Sequence, residues 1–226
     1  MMQTIPVRLW DLPTRLFHWT LVIGIGFSWF SAEIGGNWMV WHERSGILLL
    51  ALVLFRVIWG FIGSDTSRFR QFLAVPAKAL EHLRELRSQA TAFHGGHNPL
   101  GAWMVVVLLL AVLTQAVTGL FATDDIMTEG PLMGLVSGST AEWLTSIHHL
   151  GFNSILLLAG VHIAAVFFYR FYKRTNLIKA MVVGEADWPA QQSPPKSLVF
   201  KPAWLGLLVF VLVYAGVVLG IVFLSQ

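Results

Sequence analysis

The chain has 226 residues, of which 56% are hydrophobic and only 12% are charged, and its formal net charge is +3. Its mean hydropathy is +0.68, so it has too few polar residues to cover the surface of a water-soluble globule. The composition therefore excludes an ordinary soluble domain and predicts an integral membrane protein.

Five apolar runs follow one another along the chain. Each approaches or exceeds the length of about 18 residues that a helix needs to cross a bilayer. The runs cover residues 16–32, 46–62, 100–121, 147–169 and 203–224. Strands of a membrane barrel would instead alternate over segments of about 10 residues. We therefore expect an all-α membrane protein with five spans, the first of which is retained because no small-residue cleavage pattern follows it.

Basic residues alternate from one side of the predicted spans to the other. Arg8 and Arg15 precede the first span, five basic residues lie between spans two and three, and six lie between spans four and five. The connections on the opposite side contain only Arg44. Because short basic loops stay in the cytoplasm, we expect a bacterial inner-membrane protein with a cytoplasmic N-terminus and a periplasmic C-terminus. The basic residues mark a membrane face, so no nucleic-acid partner is expected.

The chain contains no cysteine. This excludes disulfide bonds, thiolate-bound iron–sulfur clusters and covalent haem c, which requires a C-x-x-C-H sequence. A metal cofactor would therefore need histidine or carboxylate ligands. No carboxylate lies within the predicted spans, so histidine is the ligand type that remains.

Four histidines lie at matching depths in the predicted spans. His148 and His162 are fourteen residues apart in span four, so they share a helix face and differ in depth by about 21 Å. His18, near the inner end of span one, lies at the depth of His162, and His42, at the outer end of span two, lies at the depth of His148. Each histidine alone could simply hydrogen-bond a neighbouring helix. Two pairs of imidazoles, however, match the axial ligands of haem b.

Arg56 is the one charged residue within a predicted span, at the depth of the inner histidine pair. Such a charge needs a partner, which a haem propionate would supply. The alternative is that the side chain reaches the cytoplasmic headgroups. Gly46 and Gly151, near the outer pair, would leave room for a porphyrin or allow ordinary close packing of helices.

Four stretches of the chain resemble, in order, the core helices of a known family. They are PTRLFHW, WHERSGILLLALVLFRVIWGFIG, GHNPLGAWMVVVLLLAVLTQAVTGLF and IHHLGFNSILLLAGVHIAA. The family comprises the membrane dihaem cytochromes b of the bacterial cytochrome b-561 and nickel-iron hydrogenase cytochrome b type, which are related to the cytochrome subunit of formate dehydrogenase. The resemblance covers residues 8 to about 184.

This resemblance implies a four-helix transmembrane bundle that binds two haems b and transfers electrons between the membrane quinone pool and a partner redox protein. The ligands it implies are His18, His42, His148 and His162. Residues 1–184 would form the dihaem core, 185–202 a cytoplasmic linker, and 203–226 a fifth transmembrane helix outside the family pattern. Gly216 and Gly220 in that helix suit docking to another helix or lipid contact.

A quinone site is expected at the cytoplasmic start of span three, in the stretch HGGHNPLG. There Asn98 can exchange hydrogen bonds, His97 can relay protons and Gly101 leaves space. The resemblance to the formate dehydrogenase subunit, whose quinone site has an asparagine at this helix start, carries over only to Asn98. Asn98 could instead cap the helix, and His94 with His97 forms only a weak candidate metal pair.

The predicted outer loop, residues 123–147, carries four carboxylates and no basic residue. They are Asp124, Asp125, Glu129 and Glu142. We expect this loop to attract a basic periplasmic redox protein, either a cytochrome c or an oxidoreductase subunit.

Two histidines outside the four-residue set receive separate predictions. We expect His82 to lie on a solvated helix face. His149 is expected to lie beside the outer haem or to replace His148 as a ligand.

Two other classes of function stay open, a cofactor-poor membrane anchor subunit and a transporter. An anchor would not need four histidines in register, and a transporter would place its polar groups at the bilayer midplane. Quinone or quinol oxidoreductase activity would follow if the chain binds a quinone.

Overall fold

A computed structural model of the chain describes residues 3–85, 95–124, 128–192 and 197–226. The helices and strands in these ranges are β1 (Thr4–Arg8), α1 (Leu12–Ile34), α2 (Met39–Ile62), α3 (Phe69–Phe72), α4 (Pro76–Glu85), α5 (Pro99–Gly119), α6 (Gly138–Phe171), α7 (Leu177–Val183), β2 (Glu185–Pro189) and α8 (Ala203–Leu224). The predictions for His94 and Asp125 fall outside the described residues. The structure is therefore mostly helical, as expected.

In the described part of the chain, four helices are long and apolar enough to cross a membrane. They are α2 with the 3-10 turn before it (Gly36–Ile62), α5, α6 and α8. Four of the five predicted spans are thus confirmed by length and composition. Helix α1 is not among them, because polar side chains such as Arg15, His18 and Glu33 lower its hydropathy. A crossing by α1 therefore stays a prediction.

Helix α6 begins at Gly138, nine residues before the predicted start of its span at residue 147. The Ser137 hydroxyl accepts a hydrogen bond from the Thr140 N–H at 3.3 Å, which caps the helix start. Ala141, fully buried on this first part of the helix, anchors it by packing. The apolar run therefore marks only the part of α6 that suits a bilayer.

A small antiparallel sheet departs from the all-α expectation. Strand β1 pairs with β2, with Thr4 opposite Pro189 and Arg8 opposite Glu185. Thr4, Ile5 and Val7 favour an extended backbone, but so short a strand shows little periodicity in the sequence. The stretch before the first predicted span therefore contains β1, and part of the predicted linker, 185–202, forms β2.

The chain divides into two compact units, of which the first contains Met1–Leu16, Ile58–Val107 and Ala159–Gly206. In this unit, the fully buried carboxylate of Asp11 joins the start of α1 to the end of α2 and to the turn that follows it. It accepts hydrogen bonds from the Thr14 N–H at 2.8 Å and from the Trp59 indole at 3.0 Å, and the Ser67 hydroxyl lies at 3.3 Å. These donors offset the cost of burying the charge and fix the start of α1 against the end of α2.

The second unit contains Phe17–Val57, Leu108–Leu158 and Leu207–Gln226. Its part of α2 is the most buried, with Ala51 and Val53 fully enclosed. The Phe55 ring contacts the Phe17 ring of α1 at 6.4 Å and the Phe210 ring of α8 at 6.0 Å between centroids. In contrast, Leu157 of α6 is 70% exposed, as expected of a side chain that faces lipid.

Candidate functional site

His42 is held in one orientation at the start of α2. Its Nδ1 lies 2.8 Å from the backbone oxygen of Ser28 in α1 and 3.3 Å from the Ser28 hydroxyl. A carbonyl oxygen can only accept, so Nδ1 carries the proton and donates it. The other ring nitrogen, Nε2, then has a lone pair that can bind a metal.

His148 in α6 has the same arrangement. Its Nδ1 donates to the backbone oxygen of Gln115 in α5 at 2.9 Å, and the Thr118 hydroxyl lies 3.4 Å from the same nitrogen. Its Nε2 therefore carries a lone pair and lies 3.2 Å from the amide nitrogen of Gln115. This amide must turn away before a metal can bind there.

The two imidazoles are neighbours. Their ring centroids are 6.1 Å apart and the ring planes are nearly perpendicular, at 87°. Two metal–nitrogen bonds of about 2 Å, with about 1 Å from each nitrogen to its ring centre, add up to about 6 Å. The spacing and the proton positions of His42 and His148 therefore fit two axial ligands of one haem iron.

Glycines create the space around this histidine pair. A methyl group added at Gly119 would lie 2.8 Å from Cε1 of His148, so glycine is needed for the ring to lie where it does. A methyl group at Gly151 would collide with the side-chain oxygen of Gln115. Gly46, in contrast, faces open space within 4 Å of its added carbon. Gly46 therefore leaves room near His42, whereas Gly151 admits the Gln115 side chain.

Three contributors to this site are absent from the sequence-based prediction. They are Ser28, Gln115 and Gly119. Gln115 carried a usable signal, because an amide in the middle of an apolar span usually has a hydrogen-bonding role. Ser28 acts mainly through its backbone oxygen, for which the sequence has no signal.

The other predicted pair is divided between the units, with His18 in the second and His162 in the first. Both side chains are half-buried, and the His18 ring contacts the Trp19 ring at 4.9 Å. Their pairing stays a prediction.

Arg56, in the second unit, is 2% exposed. A guanidinium buried this deeply does not extend to lipid headgroups.

The predicted quinone residues lie at the start of α5 in the first unit. His97 lines a cavity of about 510 Å³ that is also bordered by Phe72, Pro99 and Leu198. The Asn98 side-chain oxygen accepts the Gly101 N–H at 2.8 Å, so Asn98 caps the helix. Neither Asn98 nor Gly101 borders the cavity.

The remaining histidines differ in their surroundings. His82 is half-buried and its Nε2 lies 2.9 Å from the Tyr169 hydroxyl, so the expected solvated face is wrong. His149 is exposed and its ring centroid is 6.4 Å from that of His148. Within the described ranges, no group of three or more His, Cys, Asp or Glu side chains is placed to hold a metal ion.

Residues 9–184 match the model of a protein family described as prokaryotic cytochrome b561. The chain belongs to this family. Membership implies haem b as the cofactor and electron transport in a membrane as the activity, and with the apolar helices it makes the chain a multi-pass bacterial membrane protein. The histidine pair of the second unit has the chemistry that haem b requires.

Three curated proteins resemble this cytochrome over most of their length, and each is named a probable Ni/Fe-hydrogenase B-type cytochrome subunit. The protein from Bradyrhizobium diazoefficiens is 26% identical over 80% of this chain and 86% of its own. The protein from Rhizobium leguminosarum bv. viciae is 27% identical over 79% of this chain and 88% of its own. The protein from Rhodobacter capsulatus is 25% identical over 79% of this chain and 80% of its own. No solved structure matches the chain significantly.

Proposed function

We propose that this cytochrome transfers electrons between the membrane quinone pool and a partner redox protein through two haems b, each held by two histidines. His42 and His148 would hold one haem, and His18 and His162 the other. The observation that carries the proposal is the distance of 6.1 Å between the His42 and His148 rings. A cofactor-free anchor would have no need for two neighbouring imidazoles that each carry a free lone pair on Nε2.

Haem b, when bound, supplies reversible one-electron transfer. The contribution of the chain is to hold the two imidazoles still. The backbone oxygens of Ser28 and Gln115 fix which nitrogen of each ring is protonated and how the ring is turned. The buried charge of Arg56 would neutralise a propionate of the inner haem, because a buried guanidinium is stabilised by a carboxylate.

The proposed quinone site lies at the start of α5, with His97, Asn98 and Gly101. The cavity of about 510 Å³ beside His97 supports it, because small-molecule sites usually have volumes of roughly 300–1,000 Å³. His97 is the residue best placed to exchange a proton with a quinone oxygen. The part assigned to Asn98 rests on the resemblance, since its side-chain oxygen already caps α5.

The proposed topology places the N-terminus in the cytoplasm and the C-terminus in the periplasm of the inner membrane. The distribution of basic residues supports it, since the connections rich in lysine and arginine lie on one side of the spans. Residues 1–184 would form the dihaem core, 185–202 a cytoplasmic linker, and 203–226 an additional spanning helix.

The proposed partner is a periplasmic redox protein, and a nickel-iron hydrogenase is the strongest candidate because three relatives are named as cytochrome subunits of that enzyme. A basic cytochrome c is the other candidate, supported by the acidic loop that contains Asp124 and Glu129. Both would approach the side of the membrane near the His42 and His148 pair.

Spectra of single histidine variants test the haem assignment. His42→Ala and His148→Ala should each remove the same component of the reduced-minus-oxidised spectrum and about half of the haem, because one haem needs both ligands. His18→Ala and His162→Ala should each remove the other component. His149→Ala is the matched control, since its ring is exposed and should leave both components intact.

Two results would contradict the assignment. Loss of one shared component in His18→Ala and His42→Ala would disprove the pairing. A folded wild-type protein that is colourless after purification from haem-sufficient cells would disprove the cytochrome function itself.

A further inference from the structure

A segment beyond the family-matched residues forms part of the cavity beside His97. The match to the family ends at residue 184, whereas Leu198 borders the cavity together with residues that α3 and α5 supply, such as Phe72 and Pro99. Leu198 also packs against the buried cluster formed around Leu9 and Trp10. The cavity is therefore completed by a part of the chain outside the family core.

Hydrogen bonds fix the backbone of this segment at Val199 and at Lys201. The Val199 N–H donates to Oδ2 of Asp65 at 2.9 Å, and the Asp65 N–H donates to the Val199 oxygen at 3.1 Å. The Lys201 N–H donates to the Ser64 hydroxyl at 3.0 Å. Because its neighbours are tied to the turn after α2, Leu198 presents a fixed apolar surface to the cavity.

A cation–π contact adds a further restraint. The guanidinium carbon of Arg8 lies 4.2 Å from the centroid of the Phe200 ring. Arg8 ends β1, which pairs with β2, so the segment is tied to the sheet as well as to the turn at Asp65.

The cavity has both polar and apolar lining residues. Asp65, Thr66 and Gln71 are among the polar ones, and Phe72 and Leu198 are among the apolar ones. The His97 ring contacts two aromatic rings, with centroid distances of 4.7 Å to Trp10 and 4.4 Å to Phe72. Such a cavity suits a flat ring that has hydrogen-bond acceptors at its edge and apolar substituents, which is the chemistry of a quinone headgroup.

We propose that Leu198 determines which quinones this cavity accepts, by limiting the space for substituents on the quinone ring. The inference rests on the proposed quinone site at His97 and adds a residue outside the family core to it. The two hydrogen bonds between Asp65 and Val199 position Leu198, since they set where its side chain lies.

Direct binding to the purified, haem-loaded protein tests this role. Dissociation constants would be measured by calorimetry in detergent for menadione, which has a small ring substituent, and for decylubiquinone, whose ring carries two methoxy groups. Leu198→Ala should weaken menadione binding about tenfold, because contact with the leucine is lost, and should weaken decylubiquinone binding by at most about twofold or strengthen it. The ratio of the two constants should therefore change at least about fivefold.

A further variant tests whether the hydrogen bonds between Asp65 and Val199 position the Leu198 side chain. Val199→Pro removes the N–H that Asp65 accepts but leaves Leu198 in the chain, and it should shift the ratio in the same direction. Leu212→Ala, on the exposed surface of α8, is the control and should leave both constants unchanged. Haem content and elution volume would show that each variant is folded, and Leu198→Val would replace Leu198→Ala if the latter does not fold.

His97→Leu distinguishes failure of this inference from failure of the proposed site. If His97→Leu weakens both quinones and the Leu198 variants leave the ratio unchanged, the quinone site is correct and the role of Leu198 is wrong. If His97→Leu and the Leu198 variants all bind both quinones as wild type does, the site itself is wrong. A changed ratio in Leu198→Ala and weaker binding in His97→Leu would establish both.

Discussion

Gly119 offers the sharpest test of the outer histidine pair, because the structure fixes how much room an added methyl group would have. The Cβ of alanine at this position would lie 2.8 Å from Cε1 and 3.2 Å from Nδ1 of His148. Carbon atoms in contact prefer about 3.5 Å, so the ring would have to move by about 0.7 Å. Metal–ligand distances tolerate only about 0.2 Å. Gly119→Ala should therefore disturb haem binding by His148.

Overpacking of this kind costs about 1–3 kcal/mol, which corresponds to about a 5-fold to 150-fold weaker affinity for the haem held by this pair. The assay is the transfer of haem from the purified protein to excess apomyoglobin, followed by absorbance. One of the two spectral components should be lost faster in Gly119→Ala, and it should be the component that His148→Ala removes. The other component should leave at the wild-type rate.

Gly216→Ala is the matched control, since its added carbon meets no atom within 4 Å in α8. Equal elution volumes would exclude misfolding as the cause of a difference. If Gly119→Ala kept both components and released haem at the wild-type rate, His148 could not be a ligand in the position that it occupies against Gly119.

Two further predictions concern charged groups. Hydrogen bonds from the Val199 N–H and Gln71, with the charge of Arg68, hold the pKa of Asp65 below its usual value. Its stabilising contribution is therefore complete above about pH 4 and is lost as the pH falls through the lowered pKa. Melting temperatures of wild type and Asp65→Asn in detergent should differ near pH 6 and converge at acidic pH, and a pH-independent difference would count against this. Asp124→Asn with Glu129→Gln should slow electron exchange with a basic cytochrome c at low salt and flatten its salt dependence, whereas an unchanged rate would argue against docking at this loop.

The sequence predicted the long helices well and the short elements poorly, for a physical reason. Helices α2, α5, α6 and α8 are apolar over most of their length, which is a strong signal for a membrane span. The pairing of β1 with β2 joins residues about 180 positions apart, and nothing local in either strand identifies its partner. The early start of α6 depends on capping by Ser137 and on burial of Ala141, which lie outside the apolar run.

For the site, helical spacing identified the side chains but not what orients them. The fourteen-residue interval and the alternation of the spans placed His42 and His148 at one depth, and their rings are 6.1 Å apart. The backbone oxygens that fix these rings have no side-chain signature, so Ser28 and Gln115 could not be recognised as their partners. Leu198 was missed because nothing in the linker sequence identifies its distant partners, whereas long-range hydrogen bonds bring it to the His97 cavity.

The orientation of the two rings couples the proposed outer haem site to the packing of four helices. His42 of α2 is held by a carbonyl of α1, and His148 of α6 is held by a carbonyl of α5. Displacement of any of the four would therefore break a ring hydrogen bond or change the spacing of the two imidazoles. Because the backbone oxygens of Ser28 and Gln115 orient the two rings, little of the binding free energy of a haem would need to be spent on orienting its ligands. The same hydrogen bonds would hold His42 and His148 in one orientation around a haem, which would supply one-electron transfer there.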